Sequence, residues 1–114
     1  MIKRIKKLWM NTLRSNKYLQ GKYALKKKSC VDGKFHHCCL GVLCEVVKDE
    51  VHTTWRIPED DPEYRQFDGC KVDLPNKVLE KTKLTPDQVA DLIQLNDKTG
   101  QDFNEIADWI EENL

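Results

Sequence analysis

Phe35–Val47 is the stretch that most constrains how this chain can fold. Its residues, FHHCCLGVLCEVV, form the only uninterrupted apolar segment in a sequence of which 33% of the residues are charged. A chain of 114 residues can bury a core without disulfides or a metal ion, and it is too short for two ordinary domains. We therefore predict a single compact domain over residues 1–114, in which the other elements cover this segment.

Apolar residues recur at helical spacing within this segment. Two adjacent rows with i, i+3, i+7 spacing predict a central buried helix that begins at about residue 39. The rows are Leu40, Leu43 and Val47, and Cys39, Val42 and Val46. Gly41 costs a helix roughly 1 kcal/mol relative to alanine. Its place in the first turns predicts that a neighbouring strand or side chain approaches closely there.

The flanking patterns predict an α+β fold. Apolar residues at three- and four-residue steps predict an N-terminal helix that ends near Ser15. An Asp-Gly turn at residues 32–33 predicts a β-hairpin, and Gly21 marks a bend or a close backbone approach. Capping boxes that begin at Thr85 and Asp102 predict the last two helices. The predicted architecture is a small antiparallel sheet, made of the hairpin and short strands, packed with an N-terminal helix, the central helix and C-terminal helices.

Residues 51–72 carry a weaker pattern. His52–Ile57 is rich in β-branched and aromatic residues, which predicts a strand that ends at Pro58. Gly69–Val72 predicts a second short strand. Between them, Tyr64–Asp68 fits either a turn of helix or an irregular excursion.

The charges divide unevenly along the chain. Through Lys34 there are eleven basic residues against one acidic residue, a net charge of +10, and the remaining residues carry −10. Such a split is typical of an anion-binding face, of a homo-oligomer that associates head to tail, or of two faces that complement one another. Polar residues interrupt the apolar N-terminus. We therefore expect no signal peptide, no membrane association and a cytosolic protein.

Five cysteines and three histidines raise metal and nucleophile interpretations. Zinc would need about four ligands, normally in paired short spacings that this chain lacks. Cys39 and Cys44 lie in the most apolar segment, where thiolate formation is disfavoured. We therefore predict no metal, no cofactor and no catalytic residue. We also predict reduced thiols that react slowly until the protein unfolds.

Cations interleaved with aromatic rings predict a ligand-binding segment between Lys17 and Lys28. Lysines can pair with phosphates while the rings stack on a base, as in nucleotide and single-strand binders. Asn96, between two predicted helices, either bonds the local backbone or contacts the ligand. The predicted ligand-binding residues are Lys17, Tyr18, Gln20, Lys22, Tyr23, Lys26, Lys27, Lys28, Trp55, Arg56 and Asn96.

Two motifs are specific enough to compare with known proteins. They are CCLGVLCE at residues 38–45, and Leu95-Asn96-Asp97 followed by Phe103, Ile106 and Ala107. Weaker matches are Trp9, Leu13, Tyr18, Gln20-Gly21, Leu74-Pro75 and Val78. Together they resemble a group of small accessory proteins encoded by tailed bacteriophages and prophages, over nearly the whole chain.

This resemblance implies an accessory viral protein that acts in the cytoplasm of the host bacterium, and it transfers no catalytic residue. Small phage accessory proteins often counter host defences. The leading expectation is an anti-defence protein that sequesters a nucleotide-like or phosphorylated small molecule without turnover. The alternative is an inhibitor that occludes a host bacterial protein. A small cysteine- or metal-dependent hydrolase is the least favoured interpretation.

Overall fold

Five α-helices, one π-helix and five short strands make up the computed structural model, which describes residues 1–114. The helices are α1 (Lys3–Arg14), α2 (Cys39–Val47), α3 (Asn76–Thr82), α4 (Pro86–Ile93) and α5 (Phe103–Asn113), and the π-helix (Gln94–Lys98) continues α4. The strands are β1 (Leu19–Gln20), β2 (Lys26–Lys28), β3 (Phe35–His37), β4 (Trp55–Arg56) and β5 (Tyr64–Phe67). This composition confirms the predicted α+β fold with its N-terminal, central and C-terminal helices. No helix has both the length and the apolar character needed to span a membrane.

The strands form one sheet in the order β1-β3-β2-β5-β4. β2 and β3 are the predicted hairpin, but the sheet is mixed, because β1 runs parallel to β3. β1 reaches this position because Gly21 lets the chain pass close to β3. A Cβ at Gly21 would come within 2.8 Å of His36 Cβ, and the Gly21 N–H donates to the carbonyl of His37 at 2.8 Å. The close backbone approach predicted at Gly21 is therefore confirmed.

Residues 51–72 differ from the prediction in two ways. β4 is shorter than the predicted strand, and β5 occupies the segment for which a helical turn or an excursion was expected. The predicted strand Gly69–Val72 is wrong, since Cys70 makes only an isolated bridge to Phe67. Asp68 and Gly69 have φ values of 51° and 81°, and this tight reversal turns the chain back directly after β5.

Helix α2 lies at the centre of the fold, as predicted. Its buried residues are Cys39, Leu40, Gly41, Val42, Leu43, Cys44 and Val47. It packs against α1, α4 and β3, and α1 in turn packs along α5. The indole N–H of Trp9 donates to the carbonyl of Cys39 at 2.9 Å. This bond holds the start of α2 against α1.

Gly41 is the point where α2 touches the chain that leads into β2. A Cβ there would lie 1.8 Å from the carbonyl oxygen of Leu25, so no side chain fits. Leu25 is fully buried, and its N–H donates to the carbonyl of Lys71 at 2.8 Å. The close approach predicted at Gly41 is confirmed, and its partner is backbone that is itself fixed.

The C-terminal helices begin as predicted but one of them ends differently. Both capping boxes are present, at Thr85 with Gln88 and at Asp102 with Glu105. We expected the helix after Thr85 to stop around residues 95–97. Instead α4 passes directly into the π-helix, a rare conformation that is often found at functional sites.

We predict that Gly41→Ala destabilises the protein by about 1–3 kcal/mol or more, because the added methyl group overpacks a contact with fixed backbone. Helix propensity alone predicts the opposite result, an increase in stability of roughly 1 kcal/mol. Urea denaturation followed by circular dichroism measures the difference. Glu112→Ala, at an exposed position of α5, is the control and should change stability little. A denaturation midpoint for Gly41→Ala at or above that of the wild type would contradict the close contact.

Candidate functional site

Strand alternation sends neighbouring lysines of β2 to opposite faces of the sheet. Lys26 points inward, with its Nζ 3.6 Å from Glu45 Oε2 and 5.2 Å from the ring centroid of Trp55. Lys27 points outward, and its Nζ lies 4.7 Å from the ring centroid of Tyr64. The basic segment predicted from the sequence therefore divides between two different environments.

The outward face carries a cleft of about 330 Å³. One wall is the loop that joins β1 to β2, and the other is the end of β2 with the turn that follows it. His36 of β3 and Glu63, in the loop before β5, complete the lining. The lining residues are Gly21, Lys22, Ala24, Lys27, Lys28, Ser29, Cys30, His36 and Glu63.

Lys22, Lys27 and Lys28 are the cations of this cleft, and none of them pairs with a carboxylate of the protein. The ion pairs that lysines and arginines make lie elsewhere, for example between Arg14 and Asp108. Glu63 is the only carboxylate in the lining. The cleft thus presents unneutralised positive charge, which favours an anionic ligand.

His36 also lines the cleft, and its contacts favour the protonated ring. Its Nε2 lies 2.9 Å from Asp32 Oδ2 and its Nδ1 lies 3.2 Å from the carbonyl of Gln20. Both partners accept hydrogen bonds, so both ring nitrogens are best used as donors, which favours the imidazolium. The hydrogen bond to Asp32 and then that to Gln20 raise the pKa of His36 above its ordinary value of 6.5.

A second polar cluster lies on the inward face of the sheet. The Glu45 side chain is only 7% exposed, and its Oε2 lies 2.8 Å from Nε2 of His37. Burial by itself would raise the pKa of Glu45, but the hydrogen bond with His37, the nearby Trp55 indole N–H and the charge of Lys26 outweigh it and lower the pKa to about 2. The ring centroid of Tyr18 lies 4.7 Å from that of His37. The Trp55 indole N–H is buried near Glu45 but does not reach normal hydrogen-bond geometry with any partner. Three predicted ligand-binding residues, Tyr18, Lys26 and Trp55, therefore lie together in this cluster, which joins α2 to the sheet.

Asn96 is buried, and all of its hydrogen bonds are internal. Its Oδ1 accepts from Nε2 of Gln20 at 3.0 Å and from the N–H of Cys39 at 3.2 Å. Its Nδ2 donates to the carbonyl of Gly21 and to Oδ1 of Asp97, both at 2.8 Å. Of the two roles considered for Asn96, the structure places it in bonding to the protein itself, and Gln20 belongs to the same network.

The remaining predicted residues lie outside the cleft lining. Lys17 and Tyr18 line a separate depression between α1 and α2. Tyr23 is 57% exposed, and its hydroxyl donates to the carbonyl of Asp97 at 3.3 Å. Arg56 is exposed on the edge strand β4. The structure therefore brings three of the predicted residues, Lys22, Lys27 and Lys28, together around one cleft.

Sequence reasoning missed six residues of the lining: Gly21, Ala24, Ser29, Cys30, His36 and Glu63. The sequence raised His36 as a metal ligand or as a base beside a thiol, together with His37, and not as a ligand-binding residue. Alternation along β3 separates the two histidines, and the hairpin register pairs His36 with Lys27, so both side chains lie on the cleft face. Glu63 comes from a distant part of the chain, and no local pattern links it to the cleft.

The cysteines divide into buried and accessible thiols, which corrects the prediction that all five react slowly. Burial raises the pKa of Cys38 to about 11 and the pKa of Cys39 and Cys44 well above the ordinary value. Cys30 instead is exposed in the lysine-lined cleft, and Cys70 is partly buried. No group of three or more His, Cys, Asp or Glu side chains stands close enough to hold a metal ion.

These features define a class of small α+β protein with a basic surface cleft and two buried polar clusters behind it. The chain belongs to the family described as "Domain of unknown function (DUF8296)", whose model matches residues 1–114. No curated protein and no solved structure matches the chain.

We predict that mild iodoacetamide labels Cys30 in the native protein, because this thiol is the most accessible of the five. Cys38, Cys39 and Cys44 should be labelled only after denaturation, since their thiolates are disfavoured by burial. Peptide mass spectrometry identifies each labelled cysteine. Cys30→Ser should remove the fastest phase of alkylation. Rapid native labelling of Cys39 would show that α2 is not the closed core described above.

We predict that the folded-state pKa of His36 lies above 6.5 and falls in Asp32→Asn. The paired imidazolium stabilises the fold at pH values below the unfolded-state pKa, and this contribution is lost as the pH rises through the folded-state pKa. An NMR titration of the imidazole Cε1–H measures the shift. Asp91→Asn, which removes an exposed carboxylate that makes no contact with His36, is the matched control. Equal His36 titration curves in wild type and Asp32→Asn would contradict the pairing.

Proposed function

We propose that this protein binds a small phosphorylated ligand, such as a nucleotide, in the basic cleft and holds it without turnover. The observation that carries the proposal is the convergence of Lys22, Lys27 and Lys28 on one cleft without a carboxylate partner. Lysine is a common phosphate ligand because it offers three donors on a point charge. Five lysines of the chain, such as Lys71, pair with a carboxylate, and those of the cleft belong to the unpaired remainder.

The charge of the lining suggests which ligands fit best. Three lysines face one carboxylate, that of Glu63, and the imidazolium of His36 is balanced by Asp32. A ligand with two or more negative charges, such as a phosphate monoester or a diphosphate, complements this set. The lining contains no Phe, Tyr or Trp side chain, so the phosphate groups are the main point of recognition and base stacking is not required.

Binding without turnover is part of the proposal, and it rests on His36: of the two potential bases in the lining, His36 and Glu63, only Glu63 keeps free lone pairs. A general base needs a free lone pair within reach of the proton that it removes. Both ring nitrogens of His36 are engaged, one by Asp32 and one by the carbonyl of Gln20. The lysines can stabilise a phosphate but do not act as bases while they are protonated.

The resemblance to phage accessory proteins supplies the biological setting of the proposal. In the cytoplasm of an infected bacterium, a protein that binds a phosphorylated messenger lowers its free concentration. The proposed role is thus sequestration of a nucleotide-like signal of a host defence system. Such a role needs affinity and abundance but no catalysis.

A second candidate function, occlusion of a host protein, is favoured by exposed apolar side chains near the cleft. Tyr23 adjoins the lining residues Lys22 and Ala24, and Val31, which follows Cys30, is 92% exposed. Apolar side chains beside free lysines suit an acidic protein surface with apolar residues at its centre. In this case the basic cleft is part of a protein interface.

We predict that adenosine diphosphate and inorganic pyrophosphate bind at low salt, that adenosine does not, and that affinity falls as salt rises. Lys27→Gln with Lys28→Gln should weaken binding by about tenfold or more, since each removes a charge-assisted contact. Glu63→Gln should strengthen binding by up to about fivefold, because it removes the opposing charge. Isothermal titration calorimetry measures all of these affinities.

The matched control is Lys3→Gln with Lys7→Gln, which removes the same charge from exposed positions of α1. It should leave affinity nearly unchanged. The absence of binding heat for every phosphorylated compound at low salt would contradict the proposal. Capture of a host protein that is lost in the Lys27→Gln, Lys28→Gln variant would then favour occlusion.

A further inference from the structure

We infer that Asn96 and Asp97 are positioning residues for the cleft, because they hold the chain on both sides of Lys22. The inference rests on the proposed function, since it concerns how a cation of the same cleft is placed. Neither residue lines the cleft. Each acts on it through the loop that joins β1 to β2.

Asn96 and Asp97 hold the chain on either side of Lys22, and we call this pair of contacts the bracket. On its N-terminal side, Nδ2 of Asn96 donates to the carbonyl of Gly21 at 2.8 Å. On its C-terminal side, Oδ1 of Asp97 accepts the backbone N–H of Tyr23 at 3.1 Å. Asn96 and Asp97 are also joined to each other by a 2.8 Å hydrogen bond, so the two anchors form one unit.

Tyr23 adopts a conformation that depends on this support. Its φ is 66°, in the left-handed region that residues other than glycine rarely occupy. Such backbone persists where surrounding contacts over-determine it, and these sites are common in ligand clamps. The bond from the Tyr23 N–H to Asp97 is a contact of that kind, and the Tyr23 hydroxyl bonds to the carbonyl of Asp97 as well.

The π-helix explains how both side chains can serve the same loop. Asn96 and Asp97 are adjacent in sequence, yet both are buried, at 1% and 7% exposure. Both side chains bond to the loop between Gln20 and Tyr23. Both residues lie in the π-helix, where the backbone departs from regular α geometry. The Leu-Asn-Asp motif therefore supports the cleft through the β1–β2 loop, on the side away from the lining.

Lys22 is thereby held at a defined place in the cleft wall. Its Nζ lies 3.9 Å from the position that a Cβ of Gly100 would occupy, beside the turn that follows the π-helix. Loss of the bracket would free the loop and let Lys22, with its positive charge, move away from the cleft wall. The other cations, Lys27 and Lys28, are carried by β2 and do not depend on the bracket.

The test uses two substitutions of the exposed residue Tyr23 that differ in the backbone they permit. Tyr23→Gly accepts the left-handed conformation and keeps the N–H that Asp97 binds. Tyr23→Val resists that conformation, because a β-branched residue at positive φ is strongly disfavoured. Asp97→Ala and the conservative Asp97→Asn are compared in the same way, since asparagine retains an oxygen acceptor.

The first readout needs no bound ligand. Cys30 lines the cleft, so the ratio of its alkylation rates with anionic iodoacetate and neutral iodoacetamide reports the positive charge around it. Lys22→Gln should lower this ratio, Tyr23→Val should lower it by a similar factor, and Tyr23→Gly should leave it unchanged. Equal ratios for the valine and glycine variants would overturn the inference, whether or not any phosphate binds.

The second readout is affinity for inorganic pyrophosphate. Tyr23→Val and Asp97→Ala should each weaken binding about as much as Lys22→Gln, by roughly threefold to tenfold. Combining either with Lys22→Gln should add no further loss, whereas combining it with Lys27→Gln should multiply the two losses. Asp97→Asn and Tyr23→Gly should stay within about twofold of the wild type. Independent, multiplicative losses with Lys22→Gln would overturn the inference, and so would equal losses in the two Tyr23 variants.

The two proposals fail in different ways. If wild-type protein binds no pyrophosphate but the alkylation ratio follows the predicted order, the bracket is correct and the proposed function is wrong. If wild-type protein binds pyrophosphate and Tyr23→Val behaves as Tyr23→Gly, the proposed function stands and the bracket is wrong.

Discussion

The contact between Gly41 and the carbonyl of Leu25 is the constraint on which the rest of the structure depends. Helix α2 is apolar around most of its circumference, so it must be covered on every side by other parts of a small chain. On the sheet side, cover is possible only because Gly41 lacks a side chain. The contact fixes Leu25, directly before β2, and alternation within β2 then decides which of its lysines point inward and which reach the cleft.

The two buried polar clusters offset the free-energy cost of burying charged and polar groups in different ways. Glu45 lies beside Nε2 of His37 and the ammonium group of Lys26, so its charge is compensated within the core. Asn96 instead uses every donor and acceptor of its amide on backbone and side-chain partners. The first cluster ties α2 to the sheet, and the second ties the β1–β2 loop to the π-helix.

The fold also accounts for part of the charge division along the chain. Arg14 of α1 pairs with Asp108 and Glu111 of α5, and Lys26 of β2 pairs with Glu45 of α2. These contacts join the basic N-terminal segment to the acidic remainder, as one of the three explanations open from the sequence requires. The lysines of the cleft are among the basic residues that have no such partner.

The sequence by itself determined the elements whose signals are local. Helical periodicity around α2, the two capping boxes and the Asp-Gly turn each depend on residues a few positions apart, and all appear in the fold. The close approaches at Gly21 and Gly41 were also predicted, since a missing side chain indicates a close contact even before its partner is known. β5 and the π-helix were not predicted, because strand pairing and burial determine them rather than local periodicity.

Only the tertiary structure decided which predicted residues act together. Lys26 and Lys27 are adjacent and chemically identical in the sequence, but the pleat of β2 sends one to Glu45 and the other to the cleft. Glu63 and Asp97 reach the cleft and its supporting loop from more than thirty and more than seventy positions beyond Lys22 in the chain. Contacts over such separations are set by how the elements pack around α2, and a linear pattern does not contain that information.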